Sequence, residues 1–223
     1  TCATYAKLTP GHVNWFSSIH EADAWLRRDE LLLDGKALMS AAEVPIRGRH
    51  NIENVLGAAL AAARAGVSHD AIATAVRTFR AVEHRLEFVR KVDGIDFYND
   101  SKATSVDATL KALDAFSGGL WVILGGKDKG LDYAPLRTPL MQKARGVLLI
   151  GAAAMKIAEQ LQGAAPVVDL KTIDAAVQHG FTHGANGDTV LLAPACSSFD
   201  QFRSYEHRGE TFKQLVNALQ PKN

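Results

Sequence analysis

From about residue 82 to the end of this 223-residue chain, short apolar runs of strand length alternate with stretches of helical period. That alternation constrains the fold more than any other feature. Leu86–Val92 and Ile95–Tyr98 flank Asp93-Gly94 and read as a hairpin. Val106–Phe116 reads as a helix, Leu120–Leu124 and Val147–Ile150 as strands, and Ala152–Gln162 as a helix. Val167–Leu170 reads as extended, Ile173–Gly180 as helical, Thr189–Leu192 as a strand and Gly209–Leu219 as a closing helix. Strands without polar alternation are buried on both faces, so the pattern predicts an α/β fold: a mostly parallel sheet with helices on both sides. In such sheets ligands lie beyond the carboxyl ends of the strands. That rule singles out 99–105, 125–130 and 193–198, all rich in small and polar residues.

The first part of the chain reads differently. Residues 1–48 give short extended pieces and turns, with Asp34-Gly35 as a hairpin turn between Leu31-Leu32-Leu33 and Ala37-Leu38-Met39. A helix follows from about Asn51 to Ala65, stopped by Gly66, and a second begins near Ser68 as N-cap with Ile72, Val76 and Phe79 on one face. The pattern changes near residues 80–83 without a low-complexity linker, which places a domain boundary between 1–81 and 82–223.

Composition excludes several classes. A net charge of +1 is no nucleic-acid footprint. No apolar run approaches the ~18 residues of a membrane span, and no basic-then-apolar start marks a secretory signal. The chain lacks an initiator Met, and a fragment is expected. Its two cysteines, Cys2 and Cys196, make neither a disulfide framework nor a metal spacing and fit a reducing cytoplasm. Cys196 reads as a buried, inert thiol.

Four segments carry candidate chemistry. Asn99-Asp100-Ser101-Lys102-Ala103-Thr104 joins a strand to a helix, where a Lys, hydroxyls and free backbone N–H groups can hold an anion. A polar loop with a Ser or Thr cap explains the same residues. Gly125-Gly126-Lys127-Asp128-Lys129-Gly130 also follows a strand but meets neither the dinucleotide spacing nor the phosphate-loop spacing. Its lysines are either ligands or solvated. Arg47-Gly48-Arg49-His50-Asn51-Ile52-Glu53-Asn54 opens a helix with two amides three residues apart, which suits a purine edge or a helix cap. Pro194-Ala195-Cys196-Ser197-Ser198-Phe199-Asp200 precedes Tyr205-Glu206-His207-Arg208-Gly209. Ser198 lacks the nucleophile-elbow pattern and better suits a carboxylate grip, while Glu206 and Arg208 read as structural.

The order Gly-x-His-Asn-x-x-Asn, His-Arg, Asn-Asp-Ser-Lys-Ala-Thr, Gly-Gly-x-x-Lys, Pro-Ala-Cys-x-Ser-x-Asp-x-Phe and Glu-x-Arg-Gly resembles the Mur ligases, the ATP-dependent amino-acid ligases of bacterial cell-wall synthesis, and within them the branch that adds D-glutamate. The resemblance implies that 1–81 is the tail of a central ATPase domain and 82–223 the C-terminal domain with a Rossmann-like sheet. It implies ATP and Mg²⁺ as cofactors, the metal ligands lying upstream of this chain, and D-glutamate and UDP-N-acetylmuramoyl-L-alanine as further small-molecule substrates. Asn51 and Asn54 would face the adenine, Arg85 and Asp100 the ribose and phosphate side, and Lys102 the γ-phosphate and reaction centre. Thr104, Lys129, Ser198 and the Phe199 backbone would grip the carboxylates of D-glutamate, with Tyr205 as a wall. Ser105, Phe199 and Tyr205 depart from the family's usual Asn, Leu and Phe. No metal ligand is assigned in this chain. A cytoplasmic monomer is expected, without nucleic-acid or membrane partners and inactive alone. The rival readings are a folylpolyglutamate synthase-like ligase and a non-catalytic dinucleotide-fold binding domain.

Overall fold

The structure, a computed structural model, describes residues 2–46, 48–80 and 82–222. Arg47, part of the first-unit motif, lies outside the described residues. Two compact units divide the chain, Thr1–Arg80 and Ala81–Asn223.

In the first unit a short helix α1 (Cys2–Ala6) precedes β1 (Phe16–Ser17), β2 (Ala24–Arg27), β3 (Glu30–Leu33) and β4 (Lys36–Ser40), paired in sequence order. Asp34 and Gly35 both have positive φ, 50° and 74°, as a two-residue turn between right-twisted strands requires. Helix α2 (Arg49–Arg64) starts two residues before the expected Asn51, because Gly48 at φ 100° occupies the N-cap position and its carbonyl accepts the Asn51 N–H at 2.9 Å. Asn51 and Asn54 are therefore inside the helix, and neither caps it. Helix α3 (His69–Arg77) is capped by Ser68, whose hydroxyl accepts the Ala71 N–H. Ile72 is buried; Phe79 lies past the end of α3 and is partly exposed, yet it lines the same apolar groove as Ile72 and Val76, as expected of one face.

The second unit holds β5 (Glu87–Val92), β6 (Ile95–Asn99), α4 (Val106–Asp114), β7 (Leu120–Gly125), α5 (Arg137–Lys143), β8 (Ala144–Ile150), α6 (Ala154–Gln160), β9 (Val167–Lys171), α7 (Ile173–His183), β10 (Thr189–Leu192) and α8 (Tyr205–Ala218). The strand order is β5-β6-β10-β7-β8-β9, parallel throughout except for the β5–β6 hairpin. Alternate residues of each strand serve opposite cores. Tyr98, Leu120, Val122, Leu124, Val147 and Leu149 pack with α4, α5 and α6. Phe97, Ile123, Leu148, Ile150, Val190 and Leu192 pack with α7 and α8. The expected α/β fold is thus the observed one.

Two glycines displaced the expected helix limits. Gly180 lies inside α7, where an added Cβ would meet a Val190 methyl at 2.8 Å, so it permits close helix–strand packing and does not end the helix. Gly209 lies inside α8, which starts four residues earlier behind the Ser204 cap; a Cβ there would meet His84 Nδ1 at 2.2 Å. Helix α5 had no counterpart in the sequence reading.

The chain leaves β6 for β7, β8 and β9 and then returns, so β10 enters last between β6 and β7. Helices α4 to α6 cover one face of the sheet and α7 and α8 the other. The loops after β6, β10 and β7 diverge at the carboxyl edge, where α/β sheets bind ligands.

Candidate active site

The loop after β6 is tied down by its own polar side chains. Asn99 is fully buried; its amide donates to Glu87 Oε2 at 3.0 Å and meets His84 Nδ1 at 2.9 Å, while its Oδ1 accepts the Ser101 N–H at 3.1 Å. The Asp100 N–H reaches Leu192 O at 2.8 Å, extending the β6–β10 ladder one residue past the strand. Burial then acts on the Asp100 carboxyl. Desolvation pushes it up to about 6, opposed by a backbone N–H bond from Leu86 and the charge of Arg85. Lys102 is half-buried with its ammonium 5.2 Å from the centre of the Tyr205 ring, a cation–π contact. The N-cap of α4 is Ser105, which accepts the Ala108 N–H at 3.3 Å. Capping is thus done by Ser105, and Lys102 and the half-buried Thr104 are not needed for it.

The segment before β5 is strained. His84 and Leu86 hold φ at 64° and 41°, a region that non-glycine residues enter at about 1–3 kcal/mol each. The surroundings fix this geometry. The His84 ring is buried against Gly209, and its carbonyl accepts the Lys102 N–H at 3.1 Å. Between them Arg85 is exposed, with its charge acting on Asp100.

The loops after β7 and β10 are zipped together. The Lys127 N–H donates to Ser197 O at 2.9 Å, and the Ser197 hydroxyl to Lys127 O at 3.2 Å. Gly126, at φ 136°, permits this approach, since a Cβ would stand 2.3 Å from Ser197 O. Lys127 and Lys129 are exposed. Ser198 is buried and its carbonyl accepts N–H groups of Gln201 and Phe202 at 3.2 and 2.8 Å. Phe199 is exposed, at 67% of its surface.

Arg208 fastens these loops from beneath. Its guanidinium is wholly buried and donates to Ser101 Oγ at 2.9 Å, Ser101 O at 2.8 Å and Cys196 O at 3.2 Å. Burial lowers it to about 10, so it remains charged at neutral pH. Ser101 Oγ in turn donates to the carbonyl of Tyr205, the half-buried first residue of α8. The structural reading of Arg208 holds, although its link is to carbonyls and a hydroxyl, not to a carboxylate. Cys196 is buried beside the Tyr133 hydroxyl at 3.0 Å, and burial pushes its thiol up, which disfavours the thiolate.

The carboxyl edge of one sheet therefore carries Arg85, Asp100, Lys102, Thr104, Lys129, Ser198, Phe199 and Tyr205. Asn51 and Asn54 stand on α2 of the first unit, where the Asn54 amide donates to Asn51 Oδ1 at 3.3 Å. Asn54 also borders an apolar groove of about 380 Å³ between α2 and α3, lined by Ile46, Val55, Ala58 and Ile72 among others. Among the described residues no group of three or more His, Cys, Asp or Glu side chains could hold a metal ion. None of the helices there is long and apolar enough to cross a membrane.

A family model described as Mur ligase, glutamate ligase domain, matches residues 84–196. The chain belongs to the Mur ligase family. Among curated Mur ligases, UDP-N-acetylmuramoylalanine--D-glutamate ligase of Solibacter usitatus is 73% identical over 224 residues, covering 100% of this chain and 51% of that protein. The ligase of the same name from Koribacter versatilis is 47% identical, with 98% and 49% covered. This chain thus spans about half the length of the curated Mur ligases it matches. UDP-N-acetylmuramate-alanine ligase of Thermotoga maritima shares the fold at TM-score 0.66 and 14% identity, covering 91% of this chain and 47% of that structure. A second Thermotoga maritima Mur ligase, solved in complex with ADP, matches at TM-score 0.57 and 15% identity, with 87% and 46% covered.

Sequence reasoning on the residues missed the roles of His84, Asn99 and Glu87 in shaping the β6 loop. It also missed the full environment of Asp128, although an Asp two residues before a Gly is a recognisable turn signal.

Proposed function

We propose that this chain is the acceptor-side half of an ATP-dependent ligase that joins D-glutamate to UDP-N-acetylmuramoyl-L-alanine in the bacterial cytoplasm. The observation that carries the reading is 73% identity, across the whole chain, to a relative bearing that activity's name. The geometry of the carboxyl edge agrees with it. In the proposed reaction ATP supplies the phosphoryl group that turns the muramoyl-alanine carboxylate into an acyl phosphate, which the amine of D-glutamate attacks as phosphate leaves.

Each candidate site residue of this chain has a positioning or charge role. Lys102 offsets charge on phosphate oxygens at the reaction centre, and the Tyr205 ring beneath its ammonium restricts where it can reach. Thr104, Lys129, Ser198 and the Phe199 backbone grip the two carboxylates of the amino acid, with Tyr205 as a wall. Arg85 and Asp100 serve the ribose and phosphate side of the nucleotide. Asn51 and Asn54 serve its adenine; an apolar groove bordered by the Asn54 amide has the chemistry of a purine site. The Mg²⁺ ligands and the phosphate loop are assigned to the part of the family architecture that this chain does not span. Phosphoryl transfer depends on aligning donor and acceptor, so this chain alone is expected neither to ligate nor to hydrolyse ATP.

The test is an amino-acid titration of a full-length ligase carrying this sequence, with phosphate release as readout. D-glutamate should be the acceptor that drives turnover. Turnover with another amino acid and not with D-glutamate overturns the assignment.

A further inference from the structure

The Asp128 carboxylate has more partners than a solvated loop residue requires. Its Oδ1 accepts the Gly130 N–H at 3.1 Å, the Leu131 N–H at 3.3 Å and the Tyr133 hydroxyl at 2.8 Å. Its Oδ2 meets the Lys156 ammonium at 2.9 Å. The Lys156 bond, above all, and the Tyr133 bond hold the carboxyl at about 2, against a desolvation that would raise it. One side chain thereby joins the β7 loop to α6, which carries Lys156, and to the buried Tyr133. The Tyr133 hydroxyl also stands 3.0 Å from Cys196 Sγ, two residues before Ser198 in the β10 loop. Lys129 lies between Asp128 and Gly130, on the exposed side of this turn.

We propose that Asp128 is a positioning residue for the amino-acid carboxylate grip. It fixes the turn that presents Lys129, and Lys156 neutralises it so that it does not cancel the Lys129 charge. The proposal rests on the reading of Lys129 and Ser198 as carboxylate ligands. The physical need is clear: the loop contains Gly125, Gly126 and Gly130, and a lysine on a glycine-rich loop must be ordered before it can bind tightly. The Asp128 turn does that ordering before the ligand arrives. Through Tyr133 and Cys196 it also registers the Lys129 loop against the Ser198 loop, so that the two halves of the grip keep a fixed spacing.

The test uses a full-length ligase carrying this sequence, with D-glutamate and ATP varied separately. Asp128→Ala should raise the KM for D-glutamate roughly 10- to 100-fold, the range expected when a ligand group is misplaced, while the KM for ATP stays within about twofold. Asp128→Asn should restore most of the loss, because an amide oxygen can still accept the two backbone N–H groups. Lys156→Met keeps the turn but leaves the aspartate charge uncompensated. It should raise the same KM by a smaller factor that shrinks as salt is added. Lys129→Ala separates the two levels of the argument. If it raises the D-glutamate KM while Asp128→Ala and Lys156→Met leave it unchanged, the positioning role is overturned and the grip stands. If Lys129→Ala changes nothing, the grip fails and the positioning role with it. Should Asp128→Ala unfold, an unchanged D-glutamate KM in Lys156→Met at low salt overturns the proposal.

Discussion

Replacing Asp100 by Asn should make this chain more stable at neutral pH, and the gain should vanish in acid. Asp100 is 8% exposed, and burial raises its carboxyl from 3.8 to about 6. A carboxylate raised on folding is a charge the folded state disfavours, so the folded chain binds more protons than the unfolded chain between those two values. Stability contributed by this group is therefore greatest below pH 3.8 and falls as pH rises through about 6. At about 1.4 kcal/mol per pH unit, the displacement corresponds to a penalty of about 3 kcal/mol, fully present above pH 6. An Asn of the same shape carries no charge and can still accept the Leu86 N–H. For a unit of this size, about 3 °C per kcal/mol sets the gain in Tm at up to about 9 °C. The assay is a thermal melt of both proteins from pH 4 to 8, read as their difference at each pH so that other carboxylates cancel. A gain near pH 7.5 that fades towards pH 4 is expected. An Asn variant that melts lower than the parent at pH 7.5, or a difference independent of pH, would refute the account. In the proposed nucleotide role of Asp100, the same substitution should impair the full-length ligase.

Three further outcomes follow from the site. If the proposed grip shields Lys129 from water when D-glutamate is bound, Lys129→Ala in a full-length ligase should raise the KM for D-glutamate by a factor equivalent to about 2–5 kcal/mol, as for one partner of a desolvated charge pair, and leave the KM for ATP nearly unchanged. Asn54→Ala should lower the Tm of this chain little, because Gly48 and not Asn54 occupies the cap of α2; nucleotide affinity of the full-length ligase should fall, and an unchanged affinity removes Asn54 from the adenine site. Arg208→Met should lower the Tm by about 10 °C, since it strands Ser101 O and Cys196 O without their donor at about 1–3 kcal/mol per group. A calorimetric trace within about 2 °C of the parent would contradict that clamp.

The sheet was legible because its signal is local and repeated. Leu120–Leu124, Val147–Ile150 and Thr189–Leu192 are apolar on both faces, and turn residues separate them. The loops were legible for the same reason, being the polar segments next to those strands. What the linear pattern misplaced were two helix limits, at Gly180 and Gly209. A glycine marks a helix end only when the backbone needs positive φ, as at Gly66 at φ 90°. Gly180 and Gly209 serve close packing against Val190 and His84, and a linear reading holds no information about which residue will approach from across the fold. The same blindness hid the partners of Arg208, which bonds to Ser101 and Cys196, both distant in order or placed by other elements. Asn99 was noticed as a loop residue, but its engagement with His84 and Glu87 depends on a hairpin closing.

The place of β10 has a consequence for how the chain is made. Among the described strands of this sheet, the one that occupies its middle comes last in chain order, at Thr189–Leu192. Until it emerges from the ribosome, β6 and β7 each present an unpaired edge of buried-type residues, Ile95 and Phe97 on one and Val122 to Leu124 on the other. Such edges are templates for pairing with another chain, and the pairings that close them span some 70 to 90 residues of sequence. A nascent chain stalled before residue 189 should therefore be a substrate for chaperones, whereas one extended past β10 has no gap left to fill between β6 and β7.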